Sequence, residues 1–184
     1  MILTKTPLRI SFAGGGSDYF HNNLGIDGKV VVTSINKYIY TIFNSRYDKN
    51  VRASYSVTEN VSSSRYLKHQ LIRESLEYFN FLRGVEVVTS ADIPSSGSGL
   101  GSSSALIVGL VNAMCNKSNV SNKKIAEMAC EIEIHKCKKP IGFQDQYSTC
   151  FGGLNSIDFT SDKKIKVKEI NITKERKENF KSSL

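Results

Sequence analysis

Residues 92–105 constrain the fold of this 184-residue chain more than any other stretch. They run Asp92, Ile93, Pro94, Ser95, Ser96, Gly97, Ser98, Gly99, Leu100, Gly101, Ser102, Ser103, Ser104, Ala105. The strand-like Val85-Glu86-Val87-Val88-Thr89 precedes them, and an apolar run from Ala105 to Val111 follows that reads as a buried helix. A flexible Gly/Ser linker would not be bounded by a strand and a core helix. The stretch reads instead as an anion cradle. Alternate glycines permit positive φ and close backbone approach, so successive N–H groups can turn toward one anion. The unpaired N–H groups and positive dipole end of the following helix add to that attraction. The serines supply hydroxyls for a phosphate or a metal ion.

Two familiar glycine loops are excluded. The Walker loop ends in Gly-Lys-Ser/Thr, and no lysine lies between Gly84 and Lys117. The dinucleotide fingerprint is Gly-x-Gly-x-x-Gly, whereas Gly97, Gly99 and Gly101 are spaced Gly-x-Gly-x-Gly.

Pro94 to Ala105 resembles the central ATP-binding motif of the GHMP small-molecule kinases, the superfamily of galactokinase, homoserine kinase and mevalonate kinase. Two further matches stand in the same order. They are Pro7-Leu8-Arg9-Ile10-Ser11-Phe12-Ala13-Gly14-Gly15-Gly16-Ser17-Asp18-Tyr19, and Gln144-Asp145-Gln146-Tyr147 with Phe151-Gly152-Gly153. The Gly-Gly-Gly-Ser-Asp form and Ser34-Ile35-Asn36-Lys37-Tyr38-Ile39-Tyr40 resemble most the branch of heptose 7-phosphate and fucokinase-type sugar kinases.

The resemblance implies an α+β fold, the ribosomal protein S5 domain 2-like N-terminal lobe. Residues 1–172 would be that ATP-binding lobe, and 173–184 the start of a helix leading to a C-terminal lobe that the sequence does not include. The implied activity is transfer of the γ-phosphoryl group of ATP to a sugar hydroxyl, the anomeric one of D-glycero-D-manno-heptose 7-phosphate. A second reading is a non-catalytic nucleotide- or sugar-phosphate-binding lobe, or a lobe that needs a partner chain or a dimer to supply the missing half.

Composition agrees with a single soluble domain: 40% hydrophobic and 23% charged residues are ordinary values. No apolar run approaches the ~20 residues of a membrane span, and no basic-then-apolar leader opens the sequence, so the expected location is the cytoplasm. Residues 161–184 hold eight Lys/Arg against four Asp/Glu, half of the net +8. A basic tail without interleaved aromatics reads as a solvated face, not a nucleic-acid site. Cys115, Cys130, Cys137 and Cys150 lack paired metal-site spacing and read as free thiols.

Alternating Leu8, Ile10 and Phe12 predict a strand with those residues in the core and Arg9 turned away. Gly14 to Asp18 predicts a turn delivering a carboxylate at the strand end. Strands are expected at 29–43, 51–57, 152–159 and 164–170. Helices are expected at 64–82 with Leu67, Leu71, Ser75, Phe79 and Leu82 near one face, and at 102–116 and 122–137.

Phosphoryl transfer needs a triphosphate cradle, a divalent metal, a cation on the migrating group and a residue orienting the acceptor hydroxyl. The resemblance assigns Pro94, Ser96, Gly97, Ser98, Gly99, Leu100, Gly101, Ser102, Ser103 and Ser104 to ATP. It assigns Ser103 and Glu133 to Mg2+, and Gly14, Gly15, Gly16, Ser17 and Asp18 to the sugar or sugar phosphate. Asp145 would be the base or the residue that orients the acceptor hydroxyl, with Arg9 beside it. Glu131 competes with Glu133: helical geometry favours Glu133 only mildly, and the family's spacing to Pro140 and Asp145 decides for it.

Overall fold

The computed structural model describes residues 1–94, 98–115, 120–162, 164–173, 176 and 179, apart from the side chains of 20–23. Among these residues seven strands form one sheet: β1 (Ile2–Ala13), β2 (Gly28–Ser45), β3 (Val51–Ser54), β4 (Thr58–Val61), β5 (Val85–Ala91), β6 (Leu154–Thr160) and β7 (Lys164–Glu169). The order is β4-β3-β5-β2-β6-β7, with β1 also on β2. Long β2 is the spine. Its first half pairs with β6, its second half with β5, and β1 runs antiparallel along it. The helices are α1 (Ser17–Leu24), α2 (Gln70–Tyr78), α3 (Ser102–Cys115), α4 (Asn122–Cys130) and α5 (Gln144–Phe151). The mixture is the expected α+β lobe.

Helix α3 is the buried hub. Ala105, Ile107, Leu110 and Val111 are fully buried, as an apolar surround demands. Gly109 lets it approach β1 and β2 closely, since a Cβ there would lie 2.9 Å from Thr6 Oγ1 and 3.1 Å from Thr41 Oγ1. The inward side chains of β1 are therefore Thr4, Thr6 and Leu8. Phe12, expected in the core, is 44% exposed. The β1–β2 register shifts between Pro7 and Arg9 and again between Ser11 and Ala13, and such irregularities re-aim the side chains beyond them.

Two helices differ from expectation. Residues 64–82 are split: a 3-10 turn spans Ser64–Tyr66, the chain extends at Leu67, and α2 begins after His69. The Glu59 carboxylate accepts from the Lys68 and His69 backbone N–H groups (2.8 and 3.2 Å), and His69 Nδ1 caps the Ile72 N–H. Side-chain acceptors satisfy the N–H groups that a continuous helix would have used. The predicted 122–137 helix is α only to Cys130 and then widens into a π-helical segment, Glu131–Lys136. Strand β4 and helix α1 were not expected from sequence. The predicted helix start at 173–184 lies almost wholly outside the described residues.

Candidate active site

Everything in the site hangs on the bulged end of β1. Where the β1–β2 ladder changes register, the Arg9 backbone N–H donates to Leu100 O (3.1 Å), tying the strand to the glycine turn. The Arg9 guanidinium makes a two-point contact with Asp145: Nε to Oδ1 at 2.8 Å and Nη2 to Oδ2 at 2.7 Å. Its Nη1 donates to Gly99 O at 2.6 Å. Fork geometry makes such an arginine–carboxylate pair both strong and directional. The two side chains are 12% and 26% exposed, so the pair is shielded yet reachable. Sequence placed Arg9 and Asp145 together only through resemblance; the structure joins them across 136 residues.

The turn itself needs its glycines at two points. Gly99 and Gly101 have φ of +65° and +73°, and a Cβ on Gly101 would sit 3.2 Å from Arg9 Cγ and 3.4 Å from Asp145 Oδ2. Leu100 N–H is held by Ser98 Oγ (3.3 Å). The first intrahelical bond of α3 at this end runs from Ala105 N–H to Gly101 O (2.9 Å), so the N–H groups of Ser102, Ser103 and Ser104 precede the helix's own ladder. Ser96 and Gly97 fall outside the described residues; Pro94 is exposed at their edge.

Glu133 is fully buried, deeper than the helix-edge position its sequence suggests. Ala126, Ala129 and Cys130, which precede it by seven, four and three residues on one helical stripe, are buried as well, so Glu133 continues that stripe into the interior. Glu131 is only partly buried. Among the described residues four donors reach the Glu133 carboxylate. Ser103 Oγ (2.7 Å) and Lys139 Nζ (3.2 Å) meet Oε1, while Ser104 Oγ (2.6 Å) and Gln146 Nε2 (2.8 Å) meet Oε2. Gln146 is itself buried, and its Oε1 has no hydrogen-bond partner among the described residues. Ser103, Glu133 and this leftover oxygen are hard donors of the kind Mg2+ takes, so the residues fit the ion.

Lys139 and Gln146 were missed from sequence. Lys139 lies in a lysine-rich run that looks like solvated surface, and Gln146 gives no chemical signal beyond standing next to Asp145.

The Gly14–Asp18 segment is tied down by its own side chains. Ser17 Oγ exchanges hydrogen bonds with the backbone of Lys29 (3.1 Å both ways). Asp18 is not presented at a strand end: it opens α1, is 6% exposed, and its Oδ2 accepts from the Gln144 N–H at 2.9 Å. The carboxylate thus caps α5 one residue before Asp145, where acidic groups are favoured. Gly14, Gly15 and Gly16 leave their backbone exposed beside it. Ser11 Oγ to Gln144 Oε1 (3.1 Å) and Gln144 Nε2 to Asp145 Oδ1 (3.2 Å) complete the link from β1 to α5.

All four cysteines are free thiols. Burial pushes Cys130 well above its ordinary value, Cys137 to about 11 and Cys150 to about 12.

The fold is similar to the N-terminal lobe of the GHMP small-molecule kinases, and residues 65–153 match the family model for the GHMP kinases N terminal domain. The chain is 34% identical over 189 residues to D-glycero-alpha-D-manno-heptose 7-phosphate kinase of Campylobacter jejuni, covering 93% of this chain and 54% of that relative. The crystal structure of a D-glycero-D-manno-heptose 1-phosphate kinase from Bacteroides thetaiotaomicron superposes with a TM-score of 0.83 at 25% identity, covering 94% of this chain and 61% of that one. Streptococcus pneumoniae phosphomevalonate kinase, solved with phosphomevalonate and AMPPNP, shares the fold: TM-score 0.76, 15% identity, 94% of this chain and 60% of that one. The chain thus spans little more than half the length of the relatives it matches. Among the described residues no helix is long and apolar enough to cross a membrane.

Proposed function

We propose that this chain is the ATP-binding lobe of a magnesium-dependent sugar kinase that phosphorylates a hydroxyl of a heptose phosphate. The observation that carries this reading is the two-point Arg9–Asp145 contact held directly under the Gly99–Gly101 turn. A migrating phosphoryl group needs a cradle, a cation and an acceptor-orienting group within a few ångströms of each other. Here the backbone and serines of 98–104 receive the triphosphate. The Arg9 guanidinium stabilises charge on the transferring group, and Asp145 orients the acceptor hydroxyl and takes its proton. Ser103 and Glu133 hold Mg2+, which when bound neutralises phosphate charge. Gly14, Gly15, Gly16, Ser17 and Asp18 form the sugar side, with the exposed glycine backbone facing the ligand and Ser17 and Asp18 fixing the loop's shape.

The name of one relative, a heptose 7-phosphate kinase, makes the anomeric hydroxyl of D-glycero-D-manno-heptose 7-phosphate the first acceptor to test. The test is calorimetric titration of the chain with Mg2+ and AMPPNP, with and without each heptose phosphate, followed by a phosphotransfer assay. Nucleotide binding that tightens with one sugar phosphate supports the reading. Nucleotide binding with no turnover supports the second reading, a binding lobe that needs the remainder of the relatives' length. No binding of either ligand refutes both.

A further inference from the structure

Among the described residues Lys139 supplies the single charged donor on the Glu133 carboxylate; Ser103, Ser104 and Gln146 are neutral. Its ammonium shares Oε1 with Ser103 Oγ, the two atoms assigned to the divalent ion under the proposed function. A cation that coordinates both atoms needs the oxygen that Lys139 already holds, and two positive groups on one oxygen repel. Glu133 has no exposure at all, whereas the Lys139 side chain is 32% exposed on a flexible stem. Lys139 can therefore swing to solvent while Glu133 stays in place. The backbone holds the base of that swing, since Lys139 N–H donates to Glu133 O at 3.3 Å. Gln146 Oε1, buried and unpartnered among the described residues, leaves a spare acceptor beside the same carboxylate.

We propose that Lys139 is a built-in counter-cation for Glu133 that a divalent ion displaces, so that Lys139 sets the cation affinity of the site. It is a positioning residue: it acts through Glu133, not on the reacting atoms. The proposal rests on the reading of Ser103 and Glu133 as cation ligands. It has a second consequence. With Lys139 neutralised, the buried carboxylate loses its counter-charge and the fold becomes dependent on an added cation.

The experiment is titration of the chain with Mn2+ followed by electron paramagnetic resonance, with thermal melting in parallel, on wild type, Lys139→Gln, Lys139→Arg and Glu133→Gln. The expected result is Mn2+ affinity at least tenfold tighter in Lys139→Gln, and no tighter than wild type in Lys139→Arg. Lys139→Gln should melt below wild type without metal, and Mn2+ should raise its melting temperature more than that of wild type. Equal or weaker affinity in Lys139→Gln, with binding abolished in Glu133→Gln, overturns the role of Lys139 and leaves the ligand assignment standing. Absence of Mn2+ binding in both wild type and Lys139→Gln overturns the two together. If Lys139→Gln does not fold, Lys139→Arg decides: affinity well above wild type sinks the proposal, because that variant keeps the counter-charge.

Discussion

Gly142→Ala should damage this lobe far more than an exposed-loop glycine would. A Cβ there would lie 2.2 Å from Asp18 Oδ2, 2.4 Å from Asp18 Cγ and 2.7 Å from the Asp18 carbonyl carbon. Side chain and backbone are both in the way, so no rotamer change of Asp18 relieves all three contacts. The Asp18 carboxylate must leave the Gln144 N–H, a charge-assisted bond worth about 1.5–3 kcal/mol. Overpacking of a well-filled site adds roughly 1–3 kcal/mol. Together these approach roughly 2.5–6 kcal/mol, or a fall in melting temperature on the order of 10 °C for a chain of this size. Urea unfolding followed by circular dichroism measures the loss. The double variant Asp18→Ala with Gly142→Ala should be less damaged than the sum of the single changes, since removing the carboxylate removes two of the three close contacts. A Gly142→Ala protein within about 0.5 kcal/mol of wild type, inside the range of an ordinary surface change, would refute the described approach of Asp18 to the start of α5. The same displacement moves Asp145, three residues on, so nucleotide-dependent turnover should fall with stability.

Further outcomes follow from the geometry. Asp145→Asn should lower turnover by about 10²–10⁴-fold, the usual contribution of a positioned acid–base group, while AMPPNP affinity stays within threefold; unchanged turnover would remove Asp145 from the chemistry. His69 is held below its ordinary pKa by burial, and its Nδ1 caps α2 as an acceptor. The unfolded chain therefore binds this proton first, and stability should drop as pH falls from about 6.5 toward the depressed native value. His69→Asn keeps a cap and should flatten that part of the melting-temperature profile, and an identical profile would show that His69 is not the group responsible. The raised thiols of Cys130, Cys137 and Cys150 should alkylate slowly at pH 7.5 in the native lobe and rapidly in denaturant. Fast native labelling of Cys130 would contradict its burial.

The sequence was sufficient wherever local chemistry decides. The glycine spacing of 97–101 followed by an apolar helix, the β-branched run of β2 and the alternating strands near the C-terminal end each carry their meaning within a dozen residues, because backbone conformation and side-chain periodicity are short-range properties. Motif order named Arg9, Asp145, Ser103 and Glu133 as candidates. What the sequence could not show was who meets whom. The Arg9–Asp145 fork spans 136 positions and the Ser103–Glu133 bond spans 30, distances over which only the packing of α3 against the sheet and of α5 against β1 fixes the outcome. The split of the 64–82 helix came from the Glu59 carboxylate on a strand that local pattern did not reveal. The burial of Glu133 came from the packing of the Ala126, Ala129 and Cys130 stripe against the rest of the lobe, which puts a carboxylate where residue type alone predicts surface. Lys139 among exposed lysines, and Asp18 turned from a glycine-rich loop onto another helix's first N–H, acquire their partners only once distant segments are brought together. Their partners are set by tertiary packing because hydrogen bonds and ion pairs act over a few ångströms of space, whatever the separation along the chain.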